Sequence, residues 1–306
     1  MAAASGVSSR PDLLDPLEVA GLGGIELVAE GVVEGFLSGL HRSPYRGFSV
    51  EFAEHRPYQP GDELRYLDWK VVGRRDRLYV KQYEEETNLR ATIVLDISRS
   101  MGWSGEPARR LTKFDYATRM AAALALVLLR QRDATGLIAF DDEVRLAIPP
   151  RTRAGQWHVV ARALTDLAPG GGTAAERALA RVTDLLRRRG LVVFVSDLLV
   201  ERELVLLALR YLRHRGHQVV VFHLMDPAEL SLDRAEEARF VDPESGESVV
   251  ASPRDLGREY RATVDRVVSG WRSALRSSGI GYHHVMTETP FGYALRRAAE
   301  GRARLG

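Results

Sequence analysis

The sequence predicts an α/β protein: a doubly wound, mainly parallel sheet with helices on both faces, preceded by an N-terminal helix and short-strand extension. Three observations predict it. From Leu89 onward, short apolar runs alternate with amphipathic stretches of helical period. The runs are near-continuously apolar, as in strands of parallel sheets covered on both sides. Two of them stop on carboxylates, Asp96 and Asp197, and the C-terminal ends of strands are where open α/β sheets bind ligands.

Taken in order, residues 1–15 are small and polar and are expected to be disordered. Residues 16–88 form an N-terminal segment expected to pack on the core. Within it, Leu17, Leu27, Val28, Val32 and Phe36 recur at helical intervals. Gly21, Gly23 and Gly24 interrupt them, so a short helix and then a longer one are expected before residue 41. Pro44, Pro57, Pro60, many aromatics and the alternation Phe48-Ser49-Val50-Glu51-Phe52 predict turns and short strands after it.

Residues 89–306 carry the regular domain. A strand over 91–95 leads to a polar turn and a long helix, whose buried face is marked by Leu111, Phe114, Ala117, Ala121, Leu124 and Leu128. A strand over 135–140 is followed by an alternating stretch, 144–148, that suits a hairpin edge. Helices are expected over 156–167 and 174–189, with the loop Pro169-Gly170-Gly171-Gly172-Thr173 between them. A strand (191–195), a helix (203–213) and a strand (218–224) follow. Residues 226–253 are an irregular excursion with two possible short strands. A long helix (256–277), a strand (281–286) and a final helix (293–299) complete the pattern.

Composition narrows the function classes. The chain has 306 residues, 45% apolar and 27% charged, with 43 basic against 41 acidic residues and a net charge of +2. That balance gives no whole-chain electrostatic case for nucleic acid. There is no cysteine, which excludes disulfides, thiolate metal sites and cysteine nucleophiles. No stretch reaches the roughly 18 consecutive apolar residues of a membrane span, and the first residues do not read as a secretory signal. A cytoplasmic protein is expected. A Gly-x-x-x-x-Gly-Lys-Ser/Thr loop is absent, so the chain is not expected to hydrolyse ATP.

The candidate site draws on three separated segments. Asp96, Ser98 and Ser100 end one strand, Thr173 closes a run of three glycines, and Asp197 ends a later strand. Carboxylates and hydroxyls suit a hard, oxygen-seeking cation, Mg²⁺ or Mn²⁺. Thr173 could instead cap the helix that follows it. Asp141-Asp142 also follows a strand; it could bind a second ion but reads better as a hairpin turn. Arg187, Arg188 and Arg189 are expected to end a helix and complement its dipole. His283 and His284 are neighbours on a strand and point to opposite faces. His214 and His217 flank Gly216 and are expected in a solvated loop.

The pattern Asp96-x-Ser98-x-Ser100, then Thr173, then Asp197 resembles the metal-ion-dependent adhesion site (MIDAS) of von Willebrand factor A domains. A narrower resemblance lies upstream. The stretches His41-Arg-Ser-Pro-Tyr-Arg-Gly-Phe-Ser-Val-Glu-Phe52 and Arg56-Pro-Tyr-Gln-Pro-Gly-Asp-Glu-Leu-Arg-Tyr-Leu-Asp-Trp69 resemble the signature of the bacterial family called domain of unknown function 58. The resemblance covers about residues 35–290. It implies a von Willebrand A-like domain, a metal held by those five residues, and a protein partner that offers it an Asp or Glu. It also implies work alongside a MoxR-type AAA+ ATPase. Many members carry N-terminal membrane helices, and this sequence shows none.

An enzyme is the competing class. A strand-end Asp could be a phosphoryl-accepting nucleophile, as in haloacid-dehalogenase-like phosphatases. Those need a second Asp two residues on as general acid, and Ser98 stands there. A serine hydrolase would need a Gly-x-Ser-x-Gly elbow, which is missing. A scaffold with a vestigial metal site is the third possibility. The expectation is a non-enzymatic interaction module.

Overall fold

The structure, a computed structural model, describes residues 24–40, 55–57, 79–81, 89–171, 175–230, 238–241 and 246–302. The expectations for residues 1–15, for the short first helix and for most of 41–88 lie outside the described residues, as does Thr173.

The described strands are β1 (His55–Pro57), β2 (Tyr79–Lys81), β3 (Arg90–Asp96), β4 (Ala134–Phe140), β5 (Val144–Arg151), β6 (Leu191–Ser196), β7 (Gln218–Met225), β8 (Ala238–Val241), β9 (Ser248–Ala251) and β10 (Gly281–Met286). The described helices are α1 (Ile25–Leu40), α2 (Lys113–Arg130), α3 (Gln156–Asp166), α4 (Ala175–Leu185), α5 (Arg202–His214), α6 (Pro253–Ser277) and α7 (Phe291–Arg302). Six strands form one sheet in the order β10-β7-β6-β3-β4-β5. All neighbours are parallel except β4 and β5, the hairpin expected from the alternation at 144–148. β1 pairs with β2, and β8 with β9, as separate two-stranded ribbons.

Two apolar layers sandwich the sheet, because successive strand residues point to opposite faces. Ile93, Leu95, Val193, Val195 and Phe222 pack with α1, α2, α3 and α7 on one face. Val94, Ile138, Phe194 and Val221 pack with α4, α5 and α6 on the other. This is the doubly wound α/β arrangement the sequence predicts. α2 is largely buried. Thr112 caps it, its Oγ1 accepting from the Asp115 N–H at 2.9 Å. Alanines 121, 122, 123 and 125 let it lie close to the sheet. Tyr116 stacks on Phe291 and donates its hydroxyl to the Thr289 carbonyl at 2.6 Å, which ties α2 to α7.

At Gly136 the hairpin comes too close for a side chain. A Cβ there would lie 2.5 Å from the Ile148 carbonyl oxygen and 2.7 Å from the Pro150 nitrogen, where the β4–β5 register shifts. Gly136→Val is therefore expected to cost about 1–3 kcal/mol of stability, read as a lower urea midpoint. An unchanged midpoint would mean that the two strands can part.

Two expectations are corrected. α4 ends at Leu185 rather than at residue 189. Leu186 closes the last turn, its N–H donating to the Val182 carbonyl at 3.2 Å, continues the buried face of Leu179 and Val182, and offers its own carbonyl to His217 Nε2 at 2.9 Å. Arg187–Arg189 thus lie in the connection to β6, although Arg187 still donates from Nε to the Asp184 carbonyl at 3.3 Å. His217 is buried rather than solvated, and its burial, the largest cause, holds its pKa below the usual histidine value.

Candidate metal centre

Strand order decides where the site falls. From β3 the chain steps to β4 and β5 on one side, whereas β6, β7 and β10 lie on the other. The crevice between the C-terminal ends of β3 and β6 is the switch point, where open α/β sheets bind ligands. β3 and β6 pair with Leu95 opposite Val195. The next residues, Asp96 and Ser196, therefore meet at the rim, and Asp197 follows one step beyond.

Asp96, Ser98, Ser100 and Asp197 are all buried. Asp96 Oδ1 accepts from the Ser98 N–H at 2.9 Å, and its Oδ2 accepts from Ser196 Oγ at 2.6 Å. Ser98 Oγ and Ser100 Oγ lie 3.2 Å apart, brought together by the 3₁₀ turn Arg99–Gly102. Burial, and then the Asp197 charge, push the Asp96 pKa up to about 6, partly offset by hydrogen bonds from Ser196 and Ser98. Ser196, which hydrogen-bonds Asp96, immediately precedes Asp197, so both carboxylates stand at the same β3–β6 rim. Just past Asp197, Leu198 holds a left-handed backbone (φ 54°) although it is not glycine. Its N–H donates to Ser196 Oγ at 2.9 Å, so local strain is held in place at the rim.

The glycine loop lies against the same site. The Gly170 N–H donates to the Ile97 carbonyl at 2.9 Å. Gly171 has φ 72°, and a Cβ there would meet the Asp141 carboxylate at 2.4 Å. Thr173 is the one predicted ligand that lies outside the described residues. Asp141 serves as the turn reading expects: it accepts from the Glu143 N–H at 2.9 Å, and Arg145 Nε contacts both of its oxygens at 2.7 and 2.8 Å.

Three site residues escaped sequence reasoning. Lys113 is the first residue of α2, buried, with Nζ 2.8 Å from Asp197 Oδ2 and 2.6 Å from Glu229 Oε1. Burial alone would lower the Lys113 pKa; Asp197 and Glu229 outweigh it and raise it. Glu229 is fixed by the turn Pro227–Glu229, where its Oε2 accepts from the Asp226 N–H at 2.7 Å. Burial raises the Glu229 pKa, with Lys113 opposing. Ser196 is the third. The signal for Lys113 was its position, since a cation at a helix N-terminus opposes the dipole unless an acid compensates it.

The donor set is two carboxylates and two hydroxyls, all hard oxygen ligands. Among the described residues, no three of His, Cys, Asp and Glu gather as a metal cage. Asp197 and Glu229 share one ammonium, that of Lys113, at 2.8 and 2.6 Å, while Asp96 at the neighbouring strand end is held by hydrogen bonds from Ser196 and the Ser98 N–H. Nearby Asp226 has its own partner, Arg110, at 3.5 Å.

Fold and site together define a doubly wound α/β protein with an acid-and-hydroxyl cluster at its switch point. The chain belongs to the family described as "Protein of unknown function DUF58", whose pattern matches residues 54–267. Uncharacterized proteins of Mycobacterium tuberculosis and Mycobacterium bovis are each 28% identical over 284 residues, which is 88% of this chain and 86% of theirs. Two solved structures are also similar. One is the conserved hypothetical protein BatB from Bacteroides thetaiotaomicron, 15% identical, covering 71% of this chain and 98% of that one, with TM-score 0.46. The other is an aerotolerance-related membrane protein from Bacteroides fragilis, 17% identical, covering 69% and 98%, with TM-score 0.43. Among the described residues of this chain, no helix is long and apolar enough to cross a membrane.

Proposed function

We propose that this chain is a metal-ion-dependent protein-interaction module. Asp96, Ser98, Ser100 and Asp197, with Thr173, hold Mg²⁺ or Mn²⁺ and present it to an Asp or Glu of a partner protein. The observation that carries the reading is the meeting of Asp96, Ser98, Ser100 and Asp197, carboxylates and hydroxyls together, at the β3–β6 switch point.

A bound Mg²⁺ would supply an oxygen-seeking centre with octahedral directionality for the incoming carboxylate. The residues of the chain do the rest. Ser196 and the Ser98 N–H occupy both oxygens of Asp96 and fix its plane. Lys113 and the Leu199 N–H, the latter at 3.3 Å, do the same for Asp197. The hydroxyls of Ser98 and Ser100 are then the neutral contacts, which leaves an ion short of electrons and receptive to an acid. The module performs no reaction of its own. By the family resemblance, its partner is a MoxR-type AAA+ ATPase, or a client that the ATPase remodels or assembles: the ATPase supplies force and this chain supplies recognition.

Lys113 favours a second reading. An ammonium already sits on Asp197, so the cluster could serve as structural polarity in a scaffold whose metal site is vestigial. Titration of the purified chain with Mn²⁺, beside Asp96→Ala, separates the two. The module reading expects saturable binding that Asp96→Ala weakens at least about 100-fold, through loss of a buried charge near the ion. It also expects partner capture in Mg²⁺ that EDTA reverses. The scaffold reading expects no cation response, and capture that neither Asp96→Ala nor EDTA changes.

A further inference from the structure

The first residue of α2 is an unusual place for a buried lysine. The helix dipole disfavours a cation there, and withdrawing an ammonium from water is costly. Lys113 is nonetheless 1% exposed, and its Nζ lies 6.0 Å from the Trp103 ring centroid. Two carboxylates, 84 and 116 residues away in sequence, hold it at 2.8 and 2.6 Å. α2 itself gains nothing from this residue that a neutral one would not give.

We propose that Lys113 is a built-in counter-cation that opposes divalent-ion binding at the Asp96 cluster and cancels the charge of Asp197. The proposal rests on the metal reading and deepens it. Asp197 Oδ2 faces the ammonium, and its Oδ1 accepts from the Leu199 N–H. Both oxygens are therefore engaged by the protein itself, and the group's negative charge is spent on Lys113. An ion in the cluster meets Asp96 as the carboxylate that Lys113 does not hold. The chain thereby trades affinity for the metal against the positive charge that a bound metal keeps for an acidic partner. Glu229 shares the ammonium with Asp197 and so sets how completely Asp197 is cancelled.

The test uses the full chain, freed of metal with EDTA and titrated with MnCl₂ by calorimetry at pH 7.5. Lys113→Gln keeps an amide donor for the two carboxylates and removes the charge. It is expected to tighten Mn²⁺ binding about tenfold or more, since a unit charge within a few ångströms of a partly buried ion is worth at least that factor. Glu229→Gln leaves the ammonium undivided on Asp197 and is expected to weaken binding several-fold. Unchanged or weaker binding by Lys113→Gln overturns the proposal while leaving the metal reading intact. If circular dichroism shows that Lys113→Gln does not fold, Glu229→Gln decides: unchanged or tighter binding overturns it. Absence of Mn²⁺ binding by the unsubstituted chain and both variants removes the metal reading and this proposal together.

Discussion

In EDTA at pH 7.5, Asp96→Asn is expected to be more stable than the unsubstituted protein, by about 1–2 kcal/mol. Asp96 is buried and its pKa is raised from 3.8 to about 6, first by burial and then by Asp197. In the unfolded chain the carboxyl has its ordinary affinity for protons. Between pH 4 and pH 6 the folded state therefore binds more protons than the unfolded one, and stability falls as pH rises through that window. Above pH 6 the penalty is fully present. A shift of this size corresponds to roughly 2–3 kcal/mol at most. Asparagine removes the charge, keeps an acceptor for the Ser98 N–H, and can donate to Ser196 Oγ, so most of the penalty is relieved. Urea unfolding at pH 5 and pH 7.5 checks this. The advantage of the variant should shrink at the lower pH, and a difference independent of pH would sink the assignment. The same substitution should remove any Mg²⁺-dependent rise in Tm, because a ligand stabilises only the state that binds it. A substitution that stabilises without metal and disables with it marks a residue kept for binding rather than for folding.

Lys113→Met should have the largest effect on stability, a loss of about 3–5 kcal/mol at pH 7.5 without divalent cation. Removing one partner of a buried ion pair leaves the other charged and unsolvated, and here two carboxylates, Asp197 and Glu229, lose one ammonium. The loss should be smaller at pH 5. Glu229 already titrates above the ordinary glutamate value because of burial, with Lys113 holding it down. Without the lysine it rises further, so a proton can take the place of the ammonium as pH falls. Urea midpoints at the two pH values give the comparison. A cost below about 1 kcal/mol at pH 7.5 would mean that water reaches the pair and that no buried cluster exists. Saturating Mn²⁺ should restore part of the loss.

Much of the site was legible because its signals are local. A strand shows itself as an apolar run, and Asp96 and Asp197 stand where two such runs stop. The glycines before Thr173 announce a tight loop, and Gly171 does take a left-handed backbone against Asp141. Asp141-Asp142 read as a turn because an Asp followed by polar residues hydrogen-bonds its own backbone. Failures came where a residue answers to something distant. His217 lies beside a glycine and arginines, yet the carbonyl of Leu186, 31 residues away, draws it inside. The helix expected to reach residue 189 stops at Leu185, and the Leu186 carbonyl is taken by His217 rather than by a further helical turn.

The sequence by itself determined the alternation of strands and helices, the strand-end acids and hydroxyls, and the absence of a thiol site. Period and residue type suffice for those, since they act over a few neighbours. Only the tertiary structure decided that β3 and β6 lie side by side, which puts Asp96 and Asp197 within reach of each other's charge. Only it showed that Lys113 and Glu229 belong to the same cluster. Strand order and buried charge pairing come from packing two apolar layers on one sheet, and that packing joins residues whose separation along the chain carries no trace of their contact.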